Sequence, residues 1–233
     1  MKFGKRKRSL SKARKYGKKR RTMRRKLALF RNPFPEKKFC NLVYADEGVL
    51  TPAGASQGAF TIFRAASLHD PDFTGVGHQP RYHDTLASIY ERYCIVASSI
   101  MVKFWAPGSS SSGQCMVYAA VRPTVTDVPS VTDSYSNLIE QGAIRFKPLG
   151  ARDGGHDVTT IRAYYNPKKL YKKNPYNEDD LQSLFGTSPT TSPIFALGVV
   201  PVNSADTIGG IRYTIFMRFK VLCMRKKHDL GED

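Results

Sequence analysis

The sequence predicts an all-β domain, a β-sandwich or jelly roll, carried behind a basic N-terminal arm. Three observations predict it. Runs rich in β-branched and aromatic residues recur eight times between residues 39 and 224, broken by Gly, Pro, Ser and Asp. The alternating helical stretches of about 10–15 residues that βαβ units would need are absent. Charge is also partitioned: residues 1–38 hold 18 Lys and Arg against the single acid Glu36, a net of +17. Of the chain's 37 bases and 19 acids this leaves 19 and 18 for residues 39–233, a net of +1. A chain of 233 residues accommodates the arm and one domain of ordinary size for such a fold.

Residues 1–38 come first. Between Lys2 and Lys26 lie fifteen bases and no acid. The candidate nucleic-acid-binding residues fall in clusters: Lys5, Arg6, Lys7 and Arg8; Lys12, Arg14 and Lys15; Lys18, Lys19, Arg20 and Arg21; Arg24, Arg25 and Lys26. Such a segment repels itself, so it is expected to stay disordered until it meets a polyanion. Against phosphates each cation displaces a condensed counterion, giving strong, salt-sensitive binding with little sequence preference. The same clusters suit a nuclear localisation signal read by a host import receptor. A membrane-surface arm would need an amphipathic apolar face, and Leu10, Tyr16, Met23, Leu27 and Phe30 make only a thin one. A secretory leader would need an apolar stretch that this arm lacks, and a mitochondrial transit peptide would be richer in Ser. No apolar run approaches the length of a membrane helix, so no membrane insertion is expected.

The candidate strands are 39–50, 57–66, 93–106, 113–122, 143–149, 157–165, 193–201 and 210–224. The clearest is the last. Its Ile211, Tyr213, Ile215, Met217, Phe219 and Val221 alternate with Arg212, Thr214, Arg218 and Lys220, the pattern of a strand with one buried face. Residues 93–105 alternate less cleanly, with Ile100, Val102 and Phe104 on one side. Short helical patches are expected at Asp84–Glu91, capped by Asp84, at Thr132–Gln141, and at Glu178–Phe185, whose leading acids suit a helix dipole.

Motifs that would carry catalysis are missing or incomplete. Cys40, Cys94, Cys115 and Cys223 are spread singly and are expected to be reduced and half-buried. His69, Asp70, Asp72, His78, His83 and Asp84 crowd into sixteen residues, but without a helical His register they read as a polar loop rather than a zinc or manganese site. Gly108-Ser-Ser-Ser-Ser-Gly113 resembles the start of a phosphate-binding loop, yet Gln114-Cys115 stands where Lys-Ser/Thr is needed, so it reads as a turn. No nucleophile elbow occurs. A cupin-type enzyme would need His and Glu on inward strand positions, and the histidines fall in loops, at a strand start or in the tail. No catalytic residue, metal or cofactor is expected. A second basic patch, Lys168, Lys169, Lys172 and Lys173, lies among Tyr164, Tyr165, Tyr171 and Tyr176, where aromatics between cations could stack bases or meet a receptor.

One stretch carries a resemblance. Leu68-His-Asp-Pro-Asp-Phe-Thr-Gly-Val-Gly-His-Gln-Pro80 leads into Tyr90-Glu-Arg-Tyr-Cys-Ile-Val-Ala-Ser-Ser-Ile-Met-Val-Lys-Phe-Trp105. With the basic arm and a single β-rich domain, this resembles the capsid proteins of small circular single-stranded DNA viruses, the circovirus-like group that encodes its own replication initiator. The resemblance covers the whole chain. One departure stands out: Tyr82-His83 occupies the place of the more usual Gly-Phe before Asp84. The resemblance implies an eight-stranded single jelly roll of the viral capsid type, spanning 39–233 behind the arm. It also implies a virion shell of about sixty subunits in T=1 symmetry around a single-stranded DNA genome, arms inward, assembled in the host nucleus. RNA content, an unidentified cell-surface receptor and a cation between subunits are left open. The motif itself reads as architecture, with Phe73 and His78 packing beneath its loop. A ribosomal or chromatin-associated binding module is the alternative; such proteins usually carry basic surface on the folded part too, and the net of +1 argues against one.

Overall fold

The computed structural model describes residues 35–54, 56–105, 114–150, 158–203 and 207–227. Nine strands and three short helices follow one another as β1 (Lys37–Leu50), β2 (Ala59–Arg64), α1 (His83–Ile89), β3 (Tyr90–Trp105), β4 (Cys115–Arg122), α2 (Tyr135–Glu140), β5 (Ile144–Leu149), β6 (Val158–Tyr165), α3 (Pro167–Leu170), β7 (Gln182–Leu184), β8 (Ile194–Pro201) and β9 (Ile211–Lys226). All eight expected strands form, their ends within a few residues of the pattern. β1 begins at Lys37 and β3 at Tyr90, earlier than expected.

The strands make two antiparallel sheets, ordered β1-β9-β3-β6 and β2-β8-β4-β5, with β7 added to β3. Apart from the β4–β5 pairing, neighbours in each sheet are distant in sequence, and successive strands from β1 to β4 cross from one sheet to the other. This is the jelly roll, two interlocked Greek keys. Both sheets turn an apolar face to a shared core that holds Phe63, Phe104, Phe195, Phe219, Tyr44 and Tyr165. Strand β8 is buried along its whole length, as a central strand must be. In β9 the six expected inward residues, Ile211 to Val221, are all buried.

β3 alternates poorly for a physical reason. Its register with β9 shifts between Ile95 and Ala97, so Val96 is the extra residue of a β-bulge. Before the bulge Tyr93 and Ile95 face the main core while Cys94 joins Leu222 and Met224 beneath Tyr176, on the other side of the sheet. After it Ile100, Val102 and Phe104 face the core and Ser99, Met101 and Lys103 face out.

The helical expectations need correction. The first helix is His83–Ile89; its N-cap is Tyr82, which offers no side-chain hydrogen bond, so Asp84 sits in the first turn and does not cap. The second is shorter than expected and is capped by Ser134, which accepts from the Asn137 N–H. Residues 178–185 are not a helix: Asp179–Leu181 make one 3-10 turn and Gln182–Leu184 continue as β7 on the edge of β3. Edge pairing with β3 outweighs the acids' helical preference. Cys94, Cys115 and Cys223 are fully buried, deeper than expected, and only Cys40 is intermediate. Burial pushes the Cys94 thiol up to about 11 and the Cys115 thiol up to about 12, so both stay protonated at neutral pH.

Candidate nucleic-acid interface

The fourteen arm cations lie outside the described residues, as do the Gly108–Gly113 turn and His228. The 68–80 segment is described in full, and Arg64 organises it. Its Nη1 donates to the Asp70 carboxylate at 2.7 Å and to the carbonyls of Asp70 and Asp72 at 3.0 and 3.1 Å. The guanidinium also lies 4.7 Å from the Phe73 ring centre. Asp72 accepts from both the backbone N–H and the hydroxyl of Thr74, closing the turn. A Cβ on Gly77 would come 2.7 Å from Cβ of Asp72, so only glycine fits there. Phe73 therefore packs beneath Arg64. His78 stacks on Tyr44 at 4.6 Å but stays exposed, so it lies on the loop and not beneath it. Burial first, and neighbouring Asp46 second, push the Tyr44 phenol well above its ordinary value, and it donates to Asp46 at 3.0 Å.

The other polar residues of this region are each held by protein. His69 Nδ1 meets Gln79 at 3.1 Å; His83 donates from Nε2 to the Phe185 carbonyl at 2.9 Å and sets Nδ1 against Asp84 at 3.0 Å. Among the described residues no three His, Cys, Asp or Glu converge as metal ligands would. The motif is a structural clasp between β2 and the loop that leads to α1.

A candidate surface that the sequence does not single out is the outward face of the β1-β9-β3-β6 sheet. Cross-strand register lines up Val43, Arg218, Ser99 and Tyr164 in one row, and Ala45, Phe216, Met101 and Arg162 in the next. Asn41, Lys220 and Ala97 form a third row, and Glu47, Thr214, Lys103 and Thr160 a fourth. Along these four strands the outward positions beyond the bulge carry five cations, Arg212, Arg218, Lys220, Lys103 and Arg162, and one acid, Glu47. Arg145 of β5 reaches over the sheet edge and donates to the Arg162 carbonyl at 3.1 Å. Lys169 of α3 completes the rim of a groove of about 910 Å³ floored by Val43, Ser99, Phe216 and Arg218.

Aromatic rings are interleaved with these cations. Arg145 lies 5.7 Å from the Tyr164 ring centre, Arg218 5.3 Å from Phe216, Lys220 5.9 Å from Phe39 and Lys168 5.9 Å from Tyr176. Phe39 and Tyr164 remain 56% and 58% exposed, an unusual state for large rings on a folded domain. The ion pairs among the described residues involve Arg64, His83, Arg92 and Lys173, none of them around this groove. The second basic patch is thereby resolved into parts. Lys168 and Lys169 belong to this surface, while Lys173 faces Glu178 and Asp180 at 3.3 and 3.7 Å. The signal was present in β9, where Arg212, Arg218 and Lys220 stand among the outward residues, but the partners come from strands far apart in sequence.

No family model matches this chain, and no curated protein does. Among solved structures it is similar to the BFDV capsid protein crystallised as a 60-mer, at 10% identity and a TM-score of 0.46, covering 86% of this chain and 100% of that one. It is similar to Mud crab tombus-like virus at 10% identity and a TM-score of 0.46, covering 83% and 92%. The virus-like particle of Macrobrachium rosenbergii nodavirus gives 12% identity and a TM-score of 0.44, covering 82% and 95%. These likenesses are distant. The jelly roll stands on the strand order itself.

Proposed function

We propose that this chain is the structural subunit of a small icosahedral capsid and that it packages circular single-stranded DNA through residues 1–38. The observation that carries the reading is the charge partition, +17 in the first 38 residues against 19 bases and 18 acids in the rest, joined to a jelly-roll domain. The 68–80 sequence, by its resemblance to the circovirus-like capsid proteins, supports the same reading. A closed shell of about sixty copies would present about 1,000 arm charges, enough to neutralise on the order of 1,000 phosphates by counterion replacement. The arm's clusters also suit import to the host nucleus before assembly.

Electron microscopy of the purified full-length protein tests assembly: uniform closed particles are expected, and a monodisperse monomer would overturn the reading in favour of a nucleic-acid-binding module. The arm is tested in the full chain by replacing its fourteen candidate cations with Gln. Particles should persist while the ratio of absorbance at nucleic-acid and protein wavelengths falls. Retention of the wild-type nucleic-acid content at physiological salt would remove the arm from packaging.

A further inference from the structure

The outward face of β1-β9-β3-β6 is built like a nucleic-acid groove, and nothing in the arm's role accounts for it. We propose that this face is a second contact for the packaged strand, specific for single-stranded nucleic acid, with unpaired bases stacking on Tyr164 and Phe39 and phosphates held by Arg145, Arg218 and Lys220. The proposal rests on the capsid reading for the source of the strand, but the surface argues for its ligand by its own chemistry.

The groove cations meet no carboxylate in the ion pairs among the described residues, so they are free to meet an external anion. They are not scattered. Strand register brings Arg218 and Lys220 of β9 into rows beside Tyr164 of β6 and Asn41 of β1, across about 14 Å of sheet at the usual strand spacing. The aromatic rings separate a single strand from other polyanions. A sulfated polysaccharide offers charge without a flat π-face, and a duplex hides its base faces within the stack. Exposed rings beside guanidinium and ammonium groups stack unpaired bases in a sequence-tolerant way, while the cations track the backbone. The groove is also left open by the fold itself. The bulge at Val96 ends the stretch in which Tyr176 covers the sheet, and the bare cationic rows begin beyond it.

The test uses the full-length chain and a labelled thymidine oligonucleotide of about 15 nucleotides, a length suited to one such groove. An Arg145→Gln, Arg218→Gln, Lys220→Gln variant should flatten the dependence of log affinity on log salt by about 2, since each single-strand phosphate contact contributes about 0.7. A Phe39→Ser, Tyr164→Ser variant should lose about 30-fold or more in affinity with the slope unchanged, and should bind a duplex of equal length and heparin as the wild type does. With Phe39 kept, Tyr164→Phe should bind as the wild type does while Tyr164→Ser alone should not, a contrast that general unfolding would not give. An iodouracil-containing oligonucleotide should form photo-adducts on the peptides bearing Phe39, Tyr164 or Phe216. Adducts confined to residues 1–38, with both variants at wild-type affinity and slope, would overturn the proposal. So would cation variants that weaken binding while the aromatic variants do nothing, since the face would then be a general anion surface. Micrographs of the same samples keep the two readings apart: loss of particles with these binding effects intact would sink the capsid and leave the groove.

Discussion

Tyr82 holds φ at +70°, in the left-handed region where a side chain costs about 1 kcal/mol or more. It serves as the N-cap of α1 through its carbonyl, which accepts from the Leu86 N–H at 3.1 Å, but its side chain gives that helix no hydrogen bond, and Arg81 lies 5.2 Å from its ring centre. The circovirus-like pattern that this sequence resembles usually places glycine here, and the backbone explains why: glycine takes this φ freely. Tyr82→Gly is therefore expected to be neutral or to stabilise by up to about 1 kcal/mol, the relieved strain being partly offset by the glycine's greater freedom when unfolded. Tyr82→Val, β-branched, should lose more than 1 kcal/mol, roughly. Urea unfolding of both variants decides it; a Gly variant clearly less stable than wild type would mean that the Arg81 contact, not the backbone, sets this residue. The departure was visible in the sequence as Tyr82-His83. Its cost was not, because a φ angle belongs to a folded turn and no spacing reports it.

Each sheet contains a cross-strand pair in which a tyrosine lies over a glycine. Gly198 of β8 is directly opposite Tyr118 of β4, and Gly48 of β1 is opposite Tyr213 of β9. A Cβ on Gly198 would fall within van der Waals radii of the Tyr118 ring, the nearest atoms being Cζ and the hydroxyl oxygen. The ring fills what the glycine leaves empty, so Gly198→Ala should overpack the sheet and cost about 1–3 kcal/mol. Combined with Tyr118→Leu, which removes the collision, much of that cost should vanish. A double-mutant cycle by denaturant unfolding measures the coupling, and simple additivity would refute the packing account. Elements of this kind show what the sequence carried. Alternation in β9 was legible because one strand keeps a strict period of two with one buried face. β3 was blurred because Val96 inserts a residue and reverses the faces midway. β7 was hidden because three residues, Gln182–Leu184, follow acids that favour a helix start, and only pairing with Arg92, Tyr93 and Cys94 makes them a strand. The cationic face was hidden for the same reason: Arg145, Arg162, Arg218 and Lys220 are scattered singly along the sequence, and only sheet register unites them.

At the scale of the whole molecule, the domain's near-zero net charge conceals an arrangement. Acids gather in the segments between strands, at Asp70, Asp72, Asp84, Asp133 and Glu178–Asp180, while five outward cations share one sheet face. If the chain builds a shell, that face has one orientation that electrostatics favours. Turned outward, it would surround the particle with like charge and leave the genome against the other sheet. The outer side of β2-β8-β4-β5 offers little to a phosphate, because Tyr118 and Val200 are sealed there by Leu138 of α2 together with Phe60, Met116 and Phe146. Turned inward, the cations of neighbouring subunits meet the same strand that the arms condense, and the strand's charge offsets their mutual repulsion. The five-stranded sheet is therefore expected to line the interior. In assembled particles Lys103, Lys169 and Lys220 should resist a dextran-linked amine reagent too large to pass the shell, and should be modified once the particles are dissociated. Mass spectrometry of the two samples gives the readout. Equal modification of these three lysines in intact and dissociated particles would turn the sheet outward and leave the arms alone with the genome.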